Sequence, residues 1–331
     1  MFEFTRLNSL SELPPRDEGC IDVAVLDMNH RWLNVGHESI VRALRELTTD
    51  LRPALERAGL RTRAFSFDVR DQLVVPQHDG RFGLYVGSGG PGHLDPRENL
   101  GRNEAEIEED PAWEGPLFEL FDAIKADEDA ALIGVCHTFG VLCRWAQIGQ
   151  PLLRGAENLE KSIGVQHNVL TAEAVAHPWF SLLTLSVGTV VPVVDHRYYD
   201  LVALPDSAAE VCVIGVESDA GERAAVLTMV EFARTPGDVL PRIFASNHHP
   251  EIPGIAALSR MLQDQLASGT VTREWYESRA IIIDELRSNE HEEQARLVTA
   301  DFTFGALLRA HLERLITRQA ARSGRTVPAA L

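Results

Sequence analysis

Between residues 21 and 147, short apolar runs rich in β-branched residues alternate with stripes of helical period. That alternation restricts the possible folds more than any other feature of the chain. Ile21–Met28, Arg61–Phe67, Phe82–Gly87 and Ala130–Val135 are short and apolar enough to be buried strands. Between them, Ile40, Leu44, Leu47 and Leu51 recur at helical spacing, as do Leu117, Leu120, Phe121 and Ile124. Phe139 to Gln147 reads as a further helix. Strands separated by helical crossovers pair in parallel, so the pattern predicts an α/β fold with a mostly parallel central sheet flanked by helices. From residue 161 to 244 the pattern changes. The runs Leu182–Val194, Leu201–Leu204, Val211–Val216 and Ala224–Phe232 predict mixed or antiparallel strands. Beyond Ile255 the chain turns helical: Leu258 and Leu262, then Leu307, Leu308, Leu312 and Leu315, share helical spacing. The expected organisation is an N-terminal extension over 1–20, a main domain over 21–254 and a helical C-terminal extension over 255–331.

Composition narrows the function classes. The chain has 331 residues, 45% apolar and 24% charged, which is enough apolar material for a packed core. Its net charge of −18 argues against nucleic acid and acidic membrane as partners, since both would repel it. The densest acidic stretch, Glu104 to Glu114, reads as a solvated loop. No apolar run approaches the ~18 residues of a membrane span, and Met1–Pro15 lacks the apolar core of a secretory signal. Four cysteines without paired CxxC spacing imply neither a disulfide framework nor a zinc or other metal site. A reducing, cytoplasmic setting follows.

One cysteine stands apart. Gly134-Val-Cys-His-Thr-Phe-Gly140 places Cys136 after an apolar strand and before a helix. Such a turn lifts the side chain above the sheet edge, and the helix N-terminus favours thiolate over thiol. Cys143 reads as core packing, and Cys20 and Cys212 have no supporting neighbours. A cysteine nucleophile needs a base, and the base needs an orienting group. In Phe244-Ala-Ser-Asn-His-His-Pro-Glu251, Pro250 predicts an extended link that puts His249 and Glu251 on one side. His248 is the alternative base but lies out of phase with Glu251. Gly87-Ser-Gly-Gly-Pro-Gly92 contains GxGxxG, yet the residues after Pro91 do not open a helix, so no dinucleotide cofactor is expected. A glycine turn at a strand end can instead direct N–H groups at an oxyanion.

Ser88-Gly-Gly-Pro-Gly92, Gly134-Val-Cys136 and His249-Pro-Glu251, in that order, resemble the class I glutamine amidotransferase family over about Ile21 to Gly254. Val193–Val202 is similar to the family segment that precedes the last strands. The resemblance implies a flavodoxin-like fold in which Cys136 attacks the carboxamide of glutamine and a γ-glutamyl thioester forms. It implies that His249 moves the proton, that Glu251 orients His249, and that N–H groups near Gly89 or Gly90 and of His137 hold the oxyanion. It implies no cofactor, and an ammonia-accepting synthetase subunit as partner. The family usually has Gly and Gln where this chain has Thr138 and Gly140. The second change removes a residue that helps bind glutamine, so another γ-glutamyl compound stands as an alternative substrate. Two other expectations are a stand-alone γ-glutamyl hydrolase or peptidase and a non-catalytic binding or regulatory subunit. A homo-oligomer is compatible with all three.

Overall fold

A computed structural model describes residues 2–31, 34–101, 107–154, 162–205, 207, 209–217 and 225–322. Strand β1 (Phe2–Leu7) leads to β2 (Cys20–Asp27), helices α1 (Val35–Asp50) and α2 (Arg52–Ala58), and β3 (Arg61–Asp68). Then come β4 (Phe82–Gly87), α3 (Glu114–Ala126), β5 (Ala131–Val135) and α4 (His137–Trp145). The second half runs β6 (Gly149–Leu153), β7 (Ser162–Leu170), α5 (Ala172–Ala176), α6 (Phe180–Val187), β8 (Val190–Arg197), β9 (Tyr199–Ala203), β10 (Cys212–Glu217), β11 (Val226–Arg234) and β12 (Pro241–Ser246). Helices α7 (Ile255–Ala267), α8 (Arg273–Ser288), α9 (Glu290–Ala300) and α10 (Ala306–Arg322) follow, the last two joined by a π-helical turn.

The strands form one sheet in the order β1-β3-β2-β4-β5-β12-β11-β10-β7-β8, with β9 on β11 and β6 on β9. Pairing is parallel from β1 through β12 and antiparallel beyond it. The core order β3-β2-β4-β5-β12 is the flavodoxin-like order, in which ligands bind beyond the carboxyl ends of the strands. All eight residues of β2 are buried because helices cover both faces. Ala24 and Leu26 point to the face carrying Leu117, Phe121, Phe139 and Leu142 of α3 and α4. Val23 and Val25 point to the other face, against Ile40 and Leu44 of α1 and Leu307, Leu308 and Leu312 of α10. A third cluster joins Val35, Val194 and Ile252 to Leu258 and Leu262 of α7 and Ile282, Ile283 and Leu286 of α8.

Several local expectations change. Leu182–Val187, expected in a β-rich run, lies in α6, which Gly188 ends at φ 86°; the strand begins at Val190. A short apolar run fits either period, and Leu185, 82% exposed, lies on the open side of that helix. The segment expected as an N-terminal extension supplies β1, paired from Phe2↔Thr62 to Leu7↔Phe67. The acidic stretch is not simply solvated. Glu104 and Glu106 lie outside the described residues, but the Glu109 side chain is fully buried on Arg70, and Glu114 pairs with Arg97 and Arg144. Among the described residues, no helix is long and apolar enough to cross a membrane.

Candidate active site

Four chain segments meet at the carboxyl edge of the parallel strands: the loop after β2, the glycine turn after β4, Cys136 after β5 and His249 after β12. Cys136 has φ 49° and ψ −100°, a conformation that costs a non-glycine residue about 1–3 kcal/mol and that places its side chain above the strand end. Two backbone bonds hold it there. Its N–H donates to Ser246 O at 2.7 Å, and its carbonyl accepts from Gly140 N at 3.0 Å. The other three thiols are engaged in the interior or poorly disposed for chemistry. Burial pushes Cys143 well up and Cys212 up to about 11, and the Cys20 thiol donates to Asp17.

His249 N–H donates to Val194 O at 2.8 Å. Residues 249–252 form a turn, closed by Ile252 N donating to His249 O at 3.3 Å, rather than the extended link expected from Pro250. The turn still brings the side chains together: His249 Nδ1 donates to Glu251 Oε1 at 2.8 Å. Nε2 therefore faces the cleft, and it makes no hydrogen bond of standard geometry. A methyl group built on Gly89 would lie 3.1 Å from His249 Cε1 and 3.4 Å from Cys136 Cβ, so ring, thiol residue and glycine turn converge on one spot. Burial opposes the charged imidazole, but Glu251 and Cys136 outweigh it and raise His249 well above its ordinary value. Glu251 is buried at the start of α1: a Cβ on Gly36 would sit 2.5 Å from its Oε1. His248 points elsewhere, taking a 3.5 Å bond from Asn168 Nδ2, and burial followed by the charges of His249 and Arg197 lowers it to about 3.

The glycine turn is clamped from below. Met28 N donates to Ser88 Oγ at 2.9 Å, and a Cβ on Gly90 would collide with Met28 O. Arg70, wholly buried, donates to Met28 O and Pro91 O at 2.9 and 2.6 Å and is held by both oxygens of Glu109. Sequence reasoning missed this staple, because residues 70 and 109 are joined only in the folded state. Thr138 donates from Oγ1 to Ser88 O at 2.8 Å, tying helix α4 to the turn. His137 begins α4, where its N–H has no partner carbonyl a turn earlier. Burial, then the charges of Arg70, His93 and Arg144, lower its ring well below the ordinary histidine value. His137 and Gly90 line the cleft, and Gly89 lies against Cys136 and His249, its carbonyl accepting from Asn34 Nδ2 at 3.3 Å.

The cleft encloses roughly 1040 Å³, including space open to solvent. One wall comes from α7 and α8, which sequence reasoning left without a role: Leu258, Leu262, Trp275, Arg279 and Ile282. A Cβ on Gly140 would meet Leu94 at 2.5 Å, so Leu94 occupies the space over that glycine and borders the cleft. Arg197 also lines it; burial opposes its charge, but Asp195, Glu217 and Asp200 raise its affinity for the proton, and Cys136 adds to this. Asn29, Asn34, Asn247 and His196 are further polar residues of the lining, the His196 ring edge-on to His249 at 6.5 Å. No aspartate or glutamate is among the described lining residues, in a chain of net charge −18. An anionic ligand therefore meets no acidic side chain at the surface it would touch. No grouping of His, Cys, Asp and Glu among the described residues could hold a metal ion. A thiol beside a carboxylate-oriented imidazole, under a turn of N–H groups, has the parts needed for acyl transfer.

No protein-family model and no curated protein sequence matches the chain. Among solved structures, it is similar to SMU.1228c, with a TM-score of 0.49 and 16% identity, over 88% of this chain and 99% of that one. A glutamine amidotransferase of Thermotoga maritima aligns with a TM-score of 0.46 and 13% identity, over 91% and 98%. The glutaminase domain of Trypanosoma brucei CTPS, with bound acivicin, aligns with a TM-score of 0.46 and 11% identity, over 73% and 92%. Each TM-score lies below 0.5, so function is assigned from the geometry of the cleft itself.

Proposed function

We propose that this chain is a cysteine-dependent amidohydrolase of the class I glutamine amidotransferase type, releasing ammonia from glutamine for a partner synthetase. The observation that carries the reading is the strained Cys136 beside an imidazole whose Nδ1 is held by Glu251. His249 Nε2 takes the thiol proton, and the sulfur bonds to the amide carbonyl carbon. N–H groups of His137 and Gly90 receive the negative oxygen. The C–N bond breaks as the imidazolium returns the proton to nitrogen, which departs as ammonia or an amine. Water then adds to the thioester, giving its proton to His249. The C–S bond breaks, the sulfur recovers the proton, and the carboxylic product leaves.

Glutamate release from glutamine by the purified protein tests this, alongside labelling of Cys136 by an electrophilic glutamine analogue. Cys136→Ala is expected to lower turnover by at least about 10³-fold. Absence of turnover for glutamine and for a series of γ-glutamyl amides, with an unlabelled Cys136, would sink the proposal. One observation favours a second reading, a stand-alone γ-glutamyl hydrolase. Position 140 offers no side chain to substrate and Leu94 fills the space, so a polar contact to free glutamine is missing there. A substrate series in which γ-glutamyl peptides outrun glutamine would select it.

A further inference from the structure

The wall that α7 and α8 present to the cleft has no part in the chemistry outlined above, yet it is continuous with the residue that would protonate the leaving group. Ile252, three positions after His249, turns back to bond the His249 carbonyl. From there the surface runs through Leu258 and Leu262 of α7 to Ile282 and Trp275 of α8, and all five line the same cleft as Cys136. Four of them are buried and belong to, or pack with, one cluster anchored on Val35 at the start of α1 and Val194 beside the His249 N–H. Trp275 is only partly buried and packs on the edge of that cluster. Polar ties hold the wall in place: Gln265 Nε2 of α7 donates to Glu38 of α1 at 2.8 Å, and Val165 N donates to Glu285 of α8 at 2.6 Å.

Orientation follows from the reaction. The nitrogen that leaves must face the group that gives it a proton, His249, while the carbonyl oxygen faces the N–H groups of the glycine turn and α4. Whatever is attached to that nitrogen therefore lies on the His249 side of the cleft, which is the Ile252 side. Resting on the amidohydrolase reading, we infer that Ile252, Leu258, Leu262, Trp275 and Ile282 form a subsite for an apolar leaving amine. The substrate class is then an N-substituted γ-glutamyl amide with an aromatic or branched amine, which goes with the stand-alone hydrolase form of that reading rather than with ammonia release from glutamine. Four of the side chains are at most 8% exposed, so the wall is preformed with Trp275 as its open edge: an aromatic or branched amine can pack against it, and ammonia is too small to reach it.

Two measurements on the full chain test the subsite, one with turnover and one without. In the first, kcat/KM is compared for glutamine and γ-glutamyl-benzylamide, which share the acyl group. The benzylamide is expected to be favoured at least about tenfold, and Trp275→Ala to reduce the benzylamide-to-glutamine ratio by about the same factor. In the second, Cys136 is alkylated by chloroacetamide and by N-benzyl-chloroacetamide, with the modified peptide identified by mass spectrometry. The benzyl reagent is expected to react faster in the wild type, and Trp275→Ala to bring the two rates together. Equal alkylation rates in the wild type, or a ratio indifferent to Trp275→Ala, overturn the subsite. A benzyl preference in alkylation without hydrolysis of any amide supports the subsite and overturns the amidohydrolase reading instead.

Discussion

The proton on His249 is governed by opposed influences. Burial resists the charged ring, and the Glu251 carboxylate, then Cys136, favour it strongly enough to win. Removing the carboxylate charge should therefore lower the ring's titration midpoint. For Glu251→Gln we expect a fall of about 1–3 pH units, followed through the His249 Cε1 proton by NMR. A wild-type midpoint at or below the ordinary 6.5 would contradict the arrangement. The same coupling enters stability. A histidine raised in the folded state stabilises the protein fully below its unfolded value near 6.5 and loses that contribution as pH rises through the folded value. The difference in Tm between wild type and Glu251→Gln should be largest near the lower limit and narrow as pH climbs past the His249 midpoint. Arg197 makes a separate prediction. It is buried among Asp195, Asp200 and Glu217, so Arg197→Met removes the guanidinium paired with Asp195 and one of the two that Asp200 and Glu217 share, the other being Arg154. We expect a loss of about 3–5 kcal/mol in urea unfolding, because breaking one side of a buried ion network strands the other.

At the scale of elements, the strand-to-helix junction and the glycine turn behave as one fitted unit. A Cβ on Gly87 would overlap the Thr138 side chain, whose hydroxyl is already bonded to Ser88 O. Gly87→Ala should cost about 1–3 kcal/mol by overpacking. Thr138→Gly in the same chain should recover at least about 1 kcal/mol of that loss, and strictly additive unfolding energies would disprove the coupling. Much of this junction is readable in sequence. A short apolar run ending in Cys136, with a helical stripe after it, carries enough period and polarity to locate the turn. The His249–Glu251 contact is readable because only one residue separates the pair, although the backbone there is a turn rather than extended. Leu182–Val187 is not readable, since six apolar and small residues satisfy a helix and a strand alike. Nor is the Arg70–Glu109 pair, whose partners meet only once β3 and the loop before α3 are in place. The cleft wall is the largest omission. Its residues show a helical period, but period says which residues face inward and not which surface they face.

For the molecule as a whole, α10 is structural covering rather than an appendage. Leu307, Leu308, Leu312 and Ile316 are at most 2% exposed and pack on the sheet face shared with α1. Burial of four such side chains contributes roughly 6–12 kcal/mol, comparable with the whole net stability of about 5–15 kcal/mol of a typical domain. A chain ending at Gly305 is therefore expected to be insoluble or to lack a cooperative unfolding transition. A soluble, cooperatively folding truncation would show that α10 is dispensable. Parallel pairing was open to sequence reading because each strand–helix unit is local, and the flavodoxin-like fold was implied by the family resemblance, whereas the return of α10 to a sheet begun some three hundred residues earlier is legible in neither. That return has a consequence for biosynthesis. Of the described elements α10 leaves the ribosome last, so the part of that sheet face not covered by α1 stays greasy and bare until it does. Nascent chains must wait, shielded or at risk of sticking to one another, until α10 emerges.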